Sequence, residues 1–189
     1  MCLGRCDRLL GRAGLLAAAI VAAAALGGCS LLGRPSALLH DDPQTITVTS
    51  PEFGQGRAIP AQYTCRGRGE SPPVSWSNWP AGTKTLALVM DDADAPIAPF
   101  VYWIVFNINP QAPDIQAGRR PPGSLQAVNS RGTDGYAPPC PSRSHQYRFT
   151  IYALNASLPL PEGTSLTAAV DDIASHALAR GRLTGVITP

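Results

Sequence analysis

The sequence predicts a mainly-β protein, an antiparallel sandwich of short strands with one late helix. Three observations carry that expectation. Short runs that alternate or are wholly apolar recur along the chain, rich in β-branched and aromatic residues. Gly and Pro are frequent, 18 and 19 among 189 residues, which favours many turns and leaves little room for long helices. Only the segment from Thr164 repeats its apolar residues at helical spacing. With 44% hydrophobic and 15% charged residues, the composition is that of one globular domain and not of a disordered chain.

The first 28 residues stand apart from this pattern and read as an export signal. Arg5, Arg8 and Arg12 precede an apolar run of 14 residues, Ala13 to Leu26, too short for a comfortable membrane span. The run ends Leu26-Gly27-Gly28-Cys29. Small residues before a Cys resemble the bacterial lipoprotein signal, which makes Cys29 the new N-terminus and the site of lipidation. Several acyl chains such as palmitate anchor stably where one binds marginally. Residues 29–43 read as a lipidated tether with no periodicity, and residues 44–189 as the folded domain. The expected location is the cell membrane, lipid-anchored on its extracytoplasmic side.

The signal also accounts for the charge. Of 15 basic and 13 acidic residues, three and one fall in it, leaving 12 of each. No Lys/Arg block occurs in the remainder, so the sequence offers no electrostatic footprint for nucleic acid.

Within the domain, Thr45 to Thr49 alternates and is β-branched, a strand. Ser50 to Pro60 is a loop, and Ile59 to Cys65 reads as a short edge strand. Ser71 to Trp76 is held extended by Pro72 and Pro73. Leu86 to Asn109 is the organising stretch, a buried strand, a carboxylate-rich turn and a second buried strand starting near Val101. Asp92 and Asp94 stand two apart where the first run ends, so a strand continuing through both puts them on one face. Ala95-Pro96 then stops it. A plain hairpin with solvated Asp91 and Asp92 is the competing reading. Pro110 to Arg131 is a long surface loop with room for a short strand. Tyr147 to Leu154 is a strong strand. Thr164 to Arg180 is the helix, with Leu166, Val170, Ile173 and Ala177 on one stripe, a Thr164 or Ser165 cap and Gly181 as its stop. Arg182 to Pro189 supplies a last strand.

Two separated motifs give the chain a family resemblance. The first is Asp92-Ala93-Asp94-Ala95-Pro96 with Tyr102-Trp103 after it. The second is Gly135-Tyr136-Ala137-Pro138-Pro139-Cys140-Pro141, then His145-Gln146-Tyr147. Together they resemble the phosphatidylethanolamine-binding protein family, and within it the bacterial Raf-kinase-inhibitor-like branch. Minor agreements, such as Ser71-Pro72-Pro73 before Trp76, extend the likeness over roughly Thr45 to Val186. The resemblance implies an antiparallel β-sandwich with one or two peripheral helices. It also implies a small pocket for phosphate, acetate or a phospholipid headgroup. Carried over by position, that pocket comprises Asp92, Asp94, Pro96, Tyr102, Pro139, Pro141, His145 and Tyr147. The chain departs from the family pattern at Ala93 (a Pro in the motif), at Tyr102 (a His) and in the short loop to His145, where Ser144 replaces the usual Gly.

His145 is the central expectation. A neutral imidazole offers one donor and a protonated one two, and Tyr147, two residues on, shares its face. With Tyr102 in place of His, His145 is left as the one titrating cation expected for the anion. Of the two carboxylates, one orients His145 and the other meets a headgroup ammonium, or the pair shares a proton. Five cysteines are present. Cys2 and Cys6 leave with the signal and Cys29 is lipidated, so Cys65 and Cys140 are expected to form a disulfide in an oxidising compartment. No cofactor or metal is expected, since no HExxH or clustered Cys spacing occurs. The expected function is an anion- or headgroup-binding module. Modulation of a surface kinase or protease is the alternative, and hydrolysis through Ser142 or Ser144 ranks last because no GxSxG elbow is present.

Overall fold

The computed structural model describes residues 46–189. The expected export signal, Cys29 and the expected tether lie outside the described residues. Two sheets form. The smaller runs in the order β1 (Thr47–Thr49), β3 (Val74–Ser77), β6 (Asp114–Ile115). The larger runs β2 (Arg57–Ala58), β9 (Ala177–Ile187), β8 (His145–Leu154), β4 (Thr85–Asp92), β5 (Phe100–Ile108), β7 (Leu125–Gln126).

One apolar core lies between the sheets. Val48, Val74, Trp76 and Ile115 of the small sheet meet Leu88, Met90, Phe149, Ile151 and Leu183 of the large one. A second core covers the outer face of the large sheet. There Ala87, Val89, Ile104 and Phe106 pack against Ala169 and Ile173 of α1 (Leu166–His176). With a core on each side, every residue of β4 is buried. This explains why its sequence is a continuous apolar run and not an alternation.

The helix is shorter than the periodicity suggests. Ser165 caps it, its hydroxyl accepting from the Ala168 N–H, but Ala177 to Arg180 are strand and not helix. Leu154 pairs with Ala177, Ala153 with Ala179 and Tyr152 with Arg180. Continuing the helix would strip these partners from β8, so the ladder wins. Gly181 is not a helix stop. It sits in mid-strand, where a Cβ would come within 1.9 Å of the Ile46 carbonyl oxygen, and its missing side chain lets β9 pass the incoming chain.

Three further details differ from the sequence reading. Ala61–Tyr63 is a 3₁₀ turn, not an edge strand. Arg57–Ala58, within the expected loop, joins β9 in parallel, so the large sheet is not purely antiparallel. The 110–131 loop contributes two short strands, β6 and β7. Cys65 and Cys140 are joined in a disulfide with Cα atoms 5.4 Å apart, and the Cys65 N–H also bonds the Pro139 carbonyl. The Pro-rich strap that leads to β8 is thereby fastened at its start.

Candidate functional site

The site forms where the β4–β5 turn meets the start of β8. Asp92, last residue of β4, lies directly across from Tyr147 in the ladder, and His145 opens β8 two residues earlier. Asp92 is only 5% exposed. Its Oδ2 lies 2.7 Å from His145 Nδ1, and its Oδ1 accepts the Asp94 N–H at 2.8 Å. Asp92 thus fixes both the imidazole and the turn.

The outer nitrogen of His145 is also taken. Arg143 Nε donates to Nε2 at 3.1 Å. With Nε2 accepting from the guanidinium, Nδ1 is the ring nitrogen that donates to Asp92. The fixed positive charge beside the ring belongs to Arg143.

Tyr147 is fully buried, and no close, well-aligned hydrogen bond satisfies its hydroxyl among the described residues, the Tyr102 hydroxyl being within reach only as a weak partner. Tyr102 packs edge-on against it, with ring centroids 5.4 Å apart, and Phe100 packs on Tyr102 at 4.9 Å. The Arg131 guanidinium lies 5.8 Å over the Tyr102 ring, within cation–π range. Burial pushes the Tyr147 phenol well above its ordinary range, with Tyr102 and the Asp92 carboxylate adding to the effect. Burial, then Asp92, does the same for Tyr102. Both phenols are therefore neutral donors at physiological pH.

The structure thus brings Asp92, Tyr102, His145 and Tyr147 together. Asp94 does not share their face. β4 ends at Asp92, the chain turns, and the exposed Asp94 accepts the Gln146 N–H on Oδ2 at 2.8 Å. Pro96 is exposed on the same turn, while Pro139 is buried and Pro141 half-buried in the strap. Asp91 and Asp92 are not solvated loop residues, since both stand in the ladder and are buried. Asp91 faces Arg148, its partner across the strands, and accepts from Nε at 3.0 Å and from Nη2. Consecutive aspartates point to opposite faces of a strand, and each finds its own cation or imidazole.

Sequence reasoning missed Arg131, Arg143 and Arg148. Arg148 is legible once Asp91 is placed in the strand, as the next residue after Tyr147 in a period of two. Arg131 and Arg143 sit in loops, where no periodicity reports direction. Ser142 and Ser144 flank Arg143, but both His145 nitrogens are already engaged, by Asp92 and Arg143, which leaves neither serine a base on that ring. Among the described residues no group of three His, Cys, Asp or Glu side chains is placed to hold a metal, and no helix is long and apolar enough to cross a membrane. A separate open cleft of about 440 Å³ is lined by Arg68, Ser71, Arg119, Arg120, Gln126 and Tyr136. It does not include the His145 cluster, and Glu70 and Glu162 already neutralise Arg68 and Arg120.

A two-sheet fold with this end-of-sheet cluster defines a class, and residues 49–188 match the family model described as phosphatidylethanolamine-binding protein. The chain belongs to that family. Among its relatives is a Mycobacterium tuberculosis protein named "Putative lipoprotein LppC", 38% identical over 194 residues, covering 93% of this chain and 96% of that protein. Such coverage runs past the family domain into the N-terminal segment, so the relationship supports a membrane-associated lipoprotein. A protein of Methanothermobacter thermautotrophicus named UPF0098 is 41% identical over 147 residues, covering 75% of this chain and 97% of that one. The UPF0098 name states no enzymatic activity. Escherichia coli YbcL, described as a member of the mammalian family, superposes with a TM-score of 0.72 at 26% identity, over 77% of this chain and 99% of that one. A Chlamydia trachomatis homologue gives 0.70 at 34%, over 76% and 97%.

Proposed function

We propose that this protein is a lipid-anchored, extracytoplasmic binding protein that holds a small anion, the phosphate of a phospholipid headgroup being the natural case. The observation that carries the reading is the Tyr147 hydroxyl, buried with only the Tyr102 hydroxyl as a weak partner, beside a His145 that Asp92 holds in a fixed orientation. A buried donor without a strong acceptor is costly, and a ligand oxygen supplies that acceptor. Arg143 and Arg131 add fixed charge at its edge. Asp92, Tyr102, His145 and Tyr147 form the floor, with Asp94, Pro96, Pro139 and Pro141 on the turn and strap beside it. The oriented His145 forms one wall, and its Nε2 meets the ligand once the Arg143 guanidinium turns outward. The anchor in this reading is the lipid on Cys29, after removal of residues 1–28.

Calorimetric titration with phosphate and with phosphoethanolamine tests the pocket. His145→Ala removes the wall and Arg143→Gln the charge. Each variant is expected to lose about tenfold in affinity, the worth of one charge-assisted hydrogen bond. Wild-type affinity in both variants places the anion elsewhere. Metabolic labelling with a fatty acid tests the anchor, since incorporation that survives Cys29→Ala excludes it.

A further inference from the structure

The turn that carries Asp94 also carries Ile97, which is 97% exposed. The next most exposed large apolar side chain among the described residues is Leu178, at 45%. Single apolar side chains on a surface need no explanation in themselves. Ile97 is set apart by its surroundings. It stands in Ala95-Pro96-Ile97-Ala98-Pro99, a run without charge between the ends of β4 and β5. That places it at the same end of the large sheet as Asp92 and His145.

The charges at this end point the same way. Arg143 precedes β8 by two residues, and Arg131 lies over Tyr102. Arg66 donates to the Thr188 carbonyl just past the end of β9. All three are exposed. Against them stand the exposed Asp94, whose carboxylate already accepts from the Gln146 N–H, and Asp134. An apolar tip ringed by arginines is the chemistry of a protein that sits on an anionic bilayer.

The tether allows this orientation. The described chain enters at Ile46, whose N–H bonds the Arg180 carbonyl. Arg180 is seven residues up β9 from Ile187, which pairs with His145, or about 20 Å along the strand. The sixteen residues from Ser30 to Thr45 span up to about 55 Å when extended. A chain lipidated at Cys29 therefore has length to spare for laying its pocket end on the membrane.

We infer that the β4–β5 turn is a bilayer-docking element. Ile97 enters the interface of an anionic phospholipid surface while Arg66, Arg131 and Arg143 meet its phosphates, so that the pocket faces headgroups in the membrane and not free ligand. The inference rests on the headgroup reading for its biological sense, but its test reads position and not affinity.

The full chain is reconstituted into vesicles of phosphatidylethanolamine and phosphatidylglycerol, with a polarity-sensitive fluorophore on Ile97→Cys or, as control, on Leu178→Cys. Leu178 adjoins Ala177, which pairs with Leu154 at the opposite end of the sheet. Brominated lipid is expected to quench the probe at 97 several-fold more than at 178. Replacing phosphatidylglycerol by phosphatidylcholine is expected to reduce that quenching several-fold, each arginine contributing about fivefold at an anionic surface. Equal quenching at both positions, or a water-like spectrum at 97 in membrane-bound protein, overturns the inference. Free phosphoethanolamine separates the two readings. If wild type and Ile97→Ser bind it alike while position 97 stays in water, docking falls and the pocket stands. If position 97 is quenched and phosphoethanolamine does not bind, docking stands and the headgroup reading falls.

Discussion

Tyr147→Phe separates a functional hydroxyl from a structural one. The residue is fully buried, and its oxygen makes no close, well-aligned hydrogen bond among the described residues, with the Tyr102 hydroxyl a weak partner at most. The ring packs on Tyr102, and Phe keeps that contact. Removing the oxygen therefore costs no packing and relieves a poorly paired polar group, whose burial is worth about 1–3 kcal/mol. Taking the low end because the Tyr102 hydroxyl is a weak partner, the unliganded protein is expected to gain about 1 kcal/mol. For a domain of this length the unfolding entropy near the midpoint is about 0.3 kcal/mol/K, so the gain reads as a rise of about 3 °C in Tm. Affinity for phosphate moves the other way. Loss of one hydrogen bond to an anion, about 1.5 kcal/mol, weakens binding about tenfold. Differential scanning calorimetry without ligand and titration calorimetry with it make the pair of measurements. A variant that is less stable by 1 kcal/mol or more and binds phosphate like wild type refutes the reasoning, because the hydroxyl then serves the fold and not the ligand.

Other expectations follow from the same geometry. Cys65 and Cys140 are 75 residues apart, and on the chain-entropy model a crosslink of that span contributes about 4.5 kcal/mol. The Cys65→Ser, Cys140→Ser double variant should therefore unfold at clearly lower urea, and an unchanged midpoint counts against that share. Tyr102, Tyr136, Tyr147 and Tyr152 all have phenols raised above their ordinary value, burial being the largest cause in each. Below the unfolded value near 10 both states are protonated and stability is whole. Above it the unfolded chain ionises first, so stability falls as pH rises. Absorbance at 295 nm should rise only together with loss of the circular dichroism signal, and free titration of these phenols near pH 10 in a folded protein would contradict their burial. Gly181→Ala places a Cβ against the Ile46 backbone oxygen. This is a clash that no side-chain rotation relieves, and a loss of about 3 kcal/mol or more is expected in denaturant melts.

Much of the fold was legible because period and composition report burial directly. β4 and β5 are largely apolar on both faces since each is covered twice, β8 is aromatic and β-branched, and such runs stand out in any sequence. The helix was legible in its start and its stripe but not in its end. Ala177 to Arg180 suit a helix locally, and only the unpaired edge of β8, a non-local fact, turns them into strand. Gly181 misled for a related reason. A glycine after a helical stripe signals a stop, but here it marks a close approach to Ile46, a residue 135 positions away in the sequence. Asp92, Tyr102, His145 and Tyr147, named by the two motifs, are the residues the structure brings together. Asp94 lies off their face because β4 stops at Asp92, two residues short of it.

The arginines were the larger omission, and they bear on how the proposed site works. The family motif puts an imidazole at position 102, and this chain has a phenol there. Sequence reasoning then leaves His145 as the one titrating cation for an anion. The structure arranges charge differently. Asp92 and Arg143 occupy the two His145 nitrogens, and further cations stand at Arg143 beside the ring and Arg131 above Tyr102. A Tyr at 102 suits this exchange, because a phenol ring accepts a guanidinium on its face where an imidazolium would repel it. Guanidinium stays charged throughout the physiological range and presents a planar fork that matches phosphate oxygens. On the proposed reading the site thus holds two cations that protonation does not switch. Anion recognition then depends on reach, since Arg143 must leave His145 Nε2 to turn its fork outward, and the His145 nitrogen it vacates becomes free to accept from a protonated ligand oxygen.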